Sequence, residues 1–170
     1  MSSQSQVESS NLHYLSDKWV LWAHLPHDTN WSINSYIKIS TINSIEEMIE
    51  LTQCLKESLI KNCMLFIMKE NINPTWEDKN NIDGGCFSIK INNKSVSSTW
   101  KNITYLLMGN TLSNNKEFMK QINGITISPK KTFCIIKIWT RTCKYTESNL
   151  FSTAINIQSD NIIFKKHNNK

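Results

Sequence analysis

Apolar residues in this chain come in short runs that end at turn-forming residues, and that run length is what most narrows the choice of fold. Trp19–Leu25, Cys63–Met68, Cys86–Ile91, Gly124–Ser128 and Phe133–Thr140 are each of strand length and too short for a helix that must bury a stripe over several turns. Tyr36–Thr41 alternates apolar and polar residues, as a half-buried strand does, and Ile162–Lys166 closes the series. Between them lie helical patterns. Ser44-Ile45-Glu46-Glu47 fits a capping box, in which the serine hydroxyl takes the N3 amide and the glutamate reaches back. Ile45, Met48, Thr52, Leu55 and Leu59 then recur at helical spacing, which predicts a helix over 44–59. A second helix is predicted over 98–108, with Trp100, Ile103 and Leu107 on one face and Gly109 as its stop, and a short third over 146–154. The Gly84-Gly85 pair is expected to turn the chain into the strand at 86–91. The fold class is therefore α+β: an antiparallel sheet with about three helices packed on one face and the other face free for loops and a ligand.

At 170 residues the chain has the size of one domain, expected over 13–170. Residues 1–12 are mostly Ser, Gln and Asn, with few apolar residues, and are expected to be a disordered tail. The first ten residues carry neither a basic stretch nor an apolar one, so no secretory signal is expected. Five cysteines, odd in number and never spaced C-x-x-C, argue for free thiols in a reducing compartment, which makes the expected location cytoplasmic, extending to the nucleus. No apolar run reaches membrane-spanning length. The net charge of +5 favours anionic partners without the dense basic runs of a nonspecific nucleic-acid coat.

Two of the six tryptophans stand apart. Trp19, Trp22 and Trp100 sit in strand or helix patterns and read as core, whereas Trp31 and Trp76 lie in polar, turn-rich sequence, the latter directly before Glu77-Asp78. On spacing alone these two are as well explained as loop anchors as by a ligand. An indole beside a carboxylate suits a flat, electron-poor ring, which stacks on the indole and donates hydrogen bonds to the acid. Asp78 reads as a loop organiser. Catalytic alternatives find little support. His24 and His27 lack further ligands for a metal, no signature surrounds any cysteine, and there is no phosphate-cradling Gly-rich loop or Glu-rich metal helix. Neither an enzyme nor a cofactor is expected.

Taken in order, His13-Tyr14-Leu15-Ser16-Asp17-Lys18-Trp19-Val20-Leu21-Trp22, Trp31, Ile45-Glu46-Glu47, Pro74-Thr75-Trp76-Glu77-Asp78 with Gly84-Gly85, Trp100 and Ile138-Trp139-Thr140 resemble the eukaryotic translation initiation factor 4E family, which binds the messenger-RNA cap. The resemblance implies a curved antiparallel sheet backed by helices on its convex face, with the cap pocket on the other. It implies that Trp31 and Trp76 sandwich the positively charged 7-methylguanine, that Glu77 accepts the hydrogens of its N1 and amino group, that the Trp76 amide donates to O6, and that Trp139 meets the methyl group. Lys130 falls on the position of a family arginine, and Lys130, Lys131 and Arg141 are the candidates to meet the triphosphate. Lys165 and Lys166 are further candidates, because Thr132, Ile135 and Cys86 occupy positions that are basic in the family.

The resemblance also implies a helical face that docks an amphipathic helix of a scaffold or repressor protein. Here that surface would be built from His13, Leu15, Ile45, Ile49 and Tyr105, with Ile49 in place of a family indole. The expected function is to bind the cap of capped messenger RNA as a monomer in translation initiation. Two alternatives stay open: a regulator that holds caps without recruiting the usual scaffold, and a general single-stranded RNA module whose indoles stack any base.

Overall fold

The structure, a computed structural model, describes residues 12–168. Apart from Leu12, the tail expected at 1–12 lies outside the described residues. The strands are β1 (Tyr14–His24), β2 (Tyr36–Ser44), β3 (Met64–Lys69), β4 (Gly85–Asn92), β5 (Ile122–Pro129), β6 (Phe133–Thr140) and β7 (Ile162–Lys166). They form one antiparallel sheet in the order β2-β1-β3-β5-β6-β4-β7. Helices α1 (Ile45–Cys54), α2 (Glu57–Asn62), α3 (Val96–Met108) and α4 (Lys116–Gln121) cover one face, as the expected class requires.

Period-two alternation sorts each strand between two clusters. Trp19, Leu21, Ile67, Phe87, Ile89, Ile125, Ile136 and Ile138 point to the helices, where Trp100, Ile103, Leu107 and Phe118 meet them in the main core. Phe66, Met68, Cys86 and Trp139 point the other way and, with Ile72 from the loop between β3 and β4, form a smaller cluster on the open face. Among the described residues no helix is long and apolar enough to cross a membrane.

The capping box forms as its spacing predicts: Ser44 Oγ accepts the Glu47 amide at 3.2 Å, and Glu47 Oε2 accepts the Ser44 amide at 3.1 Å. The helix it starts ends sooner than its periodicity suggests. Leu55 is extended, and α2 begins two residues later. An unbroken helix would have placed Leu59 on the stripe of Met48, Leu51 and Leu55, but Leu59 is exposed and Ile60 is buried, so the break moves the buried register on by one residue. The helix expected at 146–154 is instead two single 3-10 turns, Ser148–Leu150 and Thr153–Ile155. Between them the backbone pairs elsewhere: Phe151 bridges Ser113, and the Ser152 amide donates to the Leu112 carbonyl at 2.9 Å.

Gly84 and Gly85 act by close approach rather than by a left-handed turn, since neither has positive φ. A Cβ at Gly84 would collide with the Thr140 carbonyl, and one at Gly85 would come within 2.6 Å of the Phe164 ring. At the end of α3, Gly109 is the C-cap, but the left-handed residue is Asn110, at φ 55°.

The chain enters β1 through a polar clasp. The His13 amide donates to Glu46 Oε2 at 3.0 Å and His13 Nδ1 meets Oε1 at 2.6 Å. These bonds, the side-chain one first, hold the Glu46 carboxyl down at about 2. A carboxyl depressed in the folded state stabilises fully above its ordinary value of 4.5, and that contribution is lost as pH falls toward 2. Glu46→Gln is therefore expected to melt below the parent chain at neutral pH, with the gap closing across this window. Thermal melts at stepped pH check it, and a gap that persists undiminished below about pH 2 contradicts the role given to this clasp.

Candidate functional site

On the open face an aromatic ladder climbs from the sheet to the first of the two loop indoles. His24 ends β1, where strand alternation places it on the same side as Trp22, opposite Tyr36 of β2. Its ring is buried, meets Tyr36 edge-on at 5.0 Å, and lies flat beneath Trp31 with centroids 4.2 Å apart and planes within 3°. Tyr36 in turn meets Phe66 at 5.2 Å.

The loop before Trp31 is shaped by short-range polar bonds. The Asn30 amide donates to Asp28 Oδ1 at 2.8 Å, the Ser32 amide donates to Asn30 Oδ1 at 2.9 Å, and His24 Nε2 bonds the Asn30 carbonyl at 2.8 Å. This holds Trp31 with one face on His24 while 53% of the residue stays exposed. A large indole left half in water by an ordered loop has its second face available for stacking.

The second indole comes from the loop between β3 and β4, which is organised from within. Asp78 accepts the amides of Asn73 (3.1 Å) and Asn80 (2.8 Å), the role its place in the sequence suggests. Asn81 is wholly buried beneath the loop. Its Nδ2 donates to the carbonyls of Asn73 and Thr75, and its Oδ1 accepts from Asn123 Nδ2 at 2.8 Å. His167 Nδ1 bonds the Asn81 carbonyl at 2.9 Å, so the chain just after β7 helps fix the loop. On this frame Trp76 is 45% exposed and Glu77 lies in solvent, outside every ion pair found among the described residues.

The charge of Glu77 reaches the ladder. Burial, and then the Glu77 carboxylate, push the Tyr36 phenol up to about 12. The Glu77 carboxylate thus bears on Tyr36, the ring that meets His24 beneath Trp31. Trp139 lies deeper on that face, 7% exposed, packed with Phe66, Met68 and Cys86 and 4.6 Å from the His167 ring.

The basic candidates divide between the two ends of the sheet. Lys130 and Lys131 are exposed in the turn before β6, and Arg141 follows its last residue. An eight-residue strand puts roughly 25 Å between those positions. The structure does not bring Arg141 together with the two lysines; Arg141 lines a separate cleft.

Lys137, which is not among the basic residues expected from the sequence, lies on the open face, two residues before Trp139 and opposite Ser88. Lys165 is opposite Cys86 on the other side of β4. Burial pushes the Cys86 thiol up against the pull of these two lysines, which thus flank the position lacking a basic residue. The alternation of β6 carries the signal that would have found Lys137. His24, Tyr36 and Asn81 leave no such signal, because their roles depend on partners far away in sequence.

On the helical face, His13, Leu15, Ile45, Ile49 and Tyr105 form one neighbourhood. The Ile45 amide donates to the His13 carbonyl, and Thr52, whose hydroxyl bonds the Ile49 carbonyl, also bonds the Tyr105 hydroxyl at 2.7 Å. Ile45 and Ile49 are exposed, while Leu15 and Tyr105 pack against the main core.

Comparison with known proteins gives a consistent picture. The family model described as Eukaryotic initiation factor 4E matches residues 14–170. A eukaryotic translation initiation factor 4E homolog of Acanthamoeba polyphaga mimivirus is 29% identical over 135 residues, covering 67% of this chain and 50% of the relative. The eukaryotic translation initiation factor 4E of Candida albicans is 28% identical over 149 residues, covering 82% of this chain and 69% of the relative. The chain thus spans half the length of the viral relative. Among solved structures, Ascaris suum eIF4E-3 with the m7G cap superposes with a TM-score of 0.77 at 18% identity, over 94% of this chain and 93% of that one. C. elegans eIF4E-3 with the 4E-binding protein Mextli gives 0.78 at 20% identity, over 92% and 94%.

Proposed function

Since the chain belongs to the eukaryotic initiation factor 4E family, we propose that it binds the 7-methylguanosine cap of messenger RNA, without catalysis, in translation initiation. Trp31 and Trp76 stack on the two faces of the methylated base. Glu77 accepts the hydrogens of the guanine N1 and amino group, and Trp139 packs toward the methyl group. Lys130 and Lys131 meet the phosphates, joined by Lys137 and Lys165 in place of the family's bases.

The observation that supports this reading most is a pair of half-exposed indoles on ordered loops, one stacked on His24 and the other next to a carboxylate that lies outside the ion pairs found among the described residues. Exposing so much aromatic surface on ordered loops costs free energy that a stacked ligand returns. The methyl group gives the base its positive charge, so cation–π attraction favours it over unmethylated guanine.

Quenching of indole fluorescence by 7-methyl-GTP tests the proposal, with GTP as the control. Glu77→Gln, in which a donor NH2 replaces one of the two acceptor oxygens, is expected to lose roughly 1–3 kcal/mol, a factor of about 5–150 in affinity. Equal quenching by GTP and 7-methyl-GTP removes the charge-based account, and indifference to Glu77→Gln favours a general single-stranded RNA module. Comparing 7-methyl-GTP with 7-methylguanosine isolates the lysines, since Lys137→Ala and Lys165→Ala should weaken only the nucleotide.

A second reading is motivated by the exposed Ile49, where the resemblance calls for an indole. An isoleucine offers a docking helix less apolar area and no N–H donor, which suits a cap-holding regulator that leaves the usual scaffold unrecruited. Co-purification of a large scaffold protein with the chain from cell extract decides against it.

A further inference from the structure

A cleft of about 970 Å³ opens at the end of the sheet where β1 begins and β6 ends, and its lining is strongly basic. Lys18, Lys69, Lys79, Lys116, Lys120 and Arg141 face it, against two acids, Asp17 and Glu70. Lys69 is neutralised by Asp17 at 3.2 Å, and Lys120 by Glu117 at 2.7 Å. Lys18, Lys79, Lys116 and Arg141 remain, outside the ion pairs found among the described residues. Four cations against the one remaining acid, Glu70, leave the lining with a net positive charge.

The rest of the lining says what kind of anion fits. Asn71, Asn80, Asn110 and Ser16 supply neutral donors and acceptors, suited to ribose hydroxyls and phosphate oxygens. Among the described residues no aromatic side chain lines the cleft, which gives a base no platform there on which to stack. The apolar side chains that line it among the described residues, Ile72 and Met119, are buried, which gives a docking peptide no exposed anchor. One wall is the loop that carries Trp76, so the cleft and the cap face share a structural element.

We propose that this cleft holds the sugar–phosphate backbone of single-stranded RNA, independently of base sequence, as a second contact for a chain whose cap sits on the open face. The cleft's preference for a polyanion stands on its lining alone. The choice of RNA rests on the cap reading, and the test keeps the two apart.

The full chain is titrated with fluorescein-labelled, uncapped oligouridine over a range of salt concentrations, and separately with 7-methyl-GTP. The variant Lys18→Glu/Lys79→Glu/Lys116→Glu is expected to bind the oligonucleotide at least about tenfold more weakly, with a salt slope shallower by up to about 2, while binding 7-methyl-GTP as the parent does. A matched reversal on the helical side, Lys56→Glu/Lys94→Glu/Lys101→Glu, should leave both titrations unchanged, since these exposed or half-exposed lysines lie away from the cleft. Equal loss in the control variant, or unchanged oligouridine binding in the cleft variant, overturns the proposal. So does displacement by polyglutamate as effective as by RNA, which would make the cleft a site for acidic protein. Failure of 7-methyl-GTP binding in the parent chain strikes the cap reading alone, because binding of uncapped oligouridine does not depend on the cap face.

Discussion

Alanine in place of Trp76 is expected to weaken binding of 7-methyl-GTP by roughly 5- to 150-fold, the loss of about 1–3 kcal/mol of stacking on one face of the base. Trp76 is the cleaner of the two indoles to remove. Its loop is held by Asp78 and by Asn81, whose bonds go to backbone and to Asn123, so truncating the exposed ring leaves that frame intact. Trp31 differs, because it also covers the buried His24 ring; its removal bares the imidazole to water and mixes a structural change with the loss of a ligand contact. Isothermal titration is the suitable measurement, since six tryptophans contribute to the fluorescence. An unchanged affinity in Trp76→Ala would show that the base binds without this plate and would remove the two-indole arrangement.

Trp100→Ala is expected to cost about 3–5 kcal/mol of stability, as the removal of a large aromatic from a packed interior does. Trp100 is 1% exposed on the buried side of α3, among Val96, Ile103 and Leu107. Native domains are stable by only about 5–15 kcal/mol, so a loss of this size takes up a large part of the total. At about 2–4 °C per kcal/mol for a chain of this length, the melting temperature should fall by roughly 6–20 °C. Trp100 and the proposed cap face lie on opposite sides of the sheet. Below its lowered melting point the variant should therefore bind 7-methyl-GTP like the parent. A fall of less than about 3 °C would mean that the core closes over the missing indole.

Much of the fold is legible in the sequence because it follows from local chemistry. The capping box at Ser44 and Glu47 needs only four adjacent residues, and the two structured loops owe their shapes largely to Asp28, Asn30 and Asp78 bonding amides close in sequence. The sorting of tryptophans largely follows from periodicity: Trp19 and Trp100 are in the core and Trp31 and Trp76 are the exposed pair, but Trp22, expected in the core, is half-buried on the open face, because strand alternation sets it opposite Trp19 and Leu21. Helix α4 is not among the expected helices although Asn115 caps it, accepting the Phe118 amide at 3.0 Å. Its six residues are too few to show a period.

Expectation and structure part where a distant contact outweighs local preference. Leu55 leaves the helix so that Ile60, rather than Leu59, reaches the core, and residues 148–155 give up a regular helix because Phe151 and Ser152 pair with Ser113 and Leu112. Residue pattern alone thus determined the strands, the start of α1, the buried face of α3 and the identity of the exposed indoles, since each depends on neighbours a few positions away. Tertiary structure alone decided that His24 lies under Trp31, that Glu77 acts on Tyr36, and that Lys137 and Lys165 flank Cys86 while Arg141 joins a different cleft. Those relations are set by strand order and register, which bring together residues that no periodicity links.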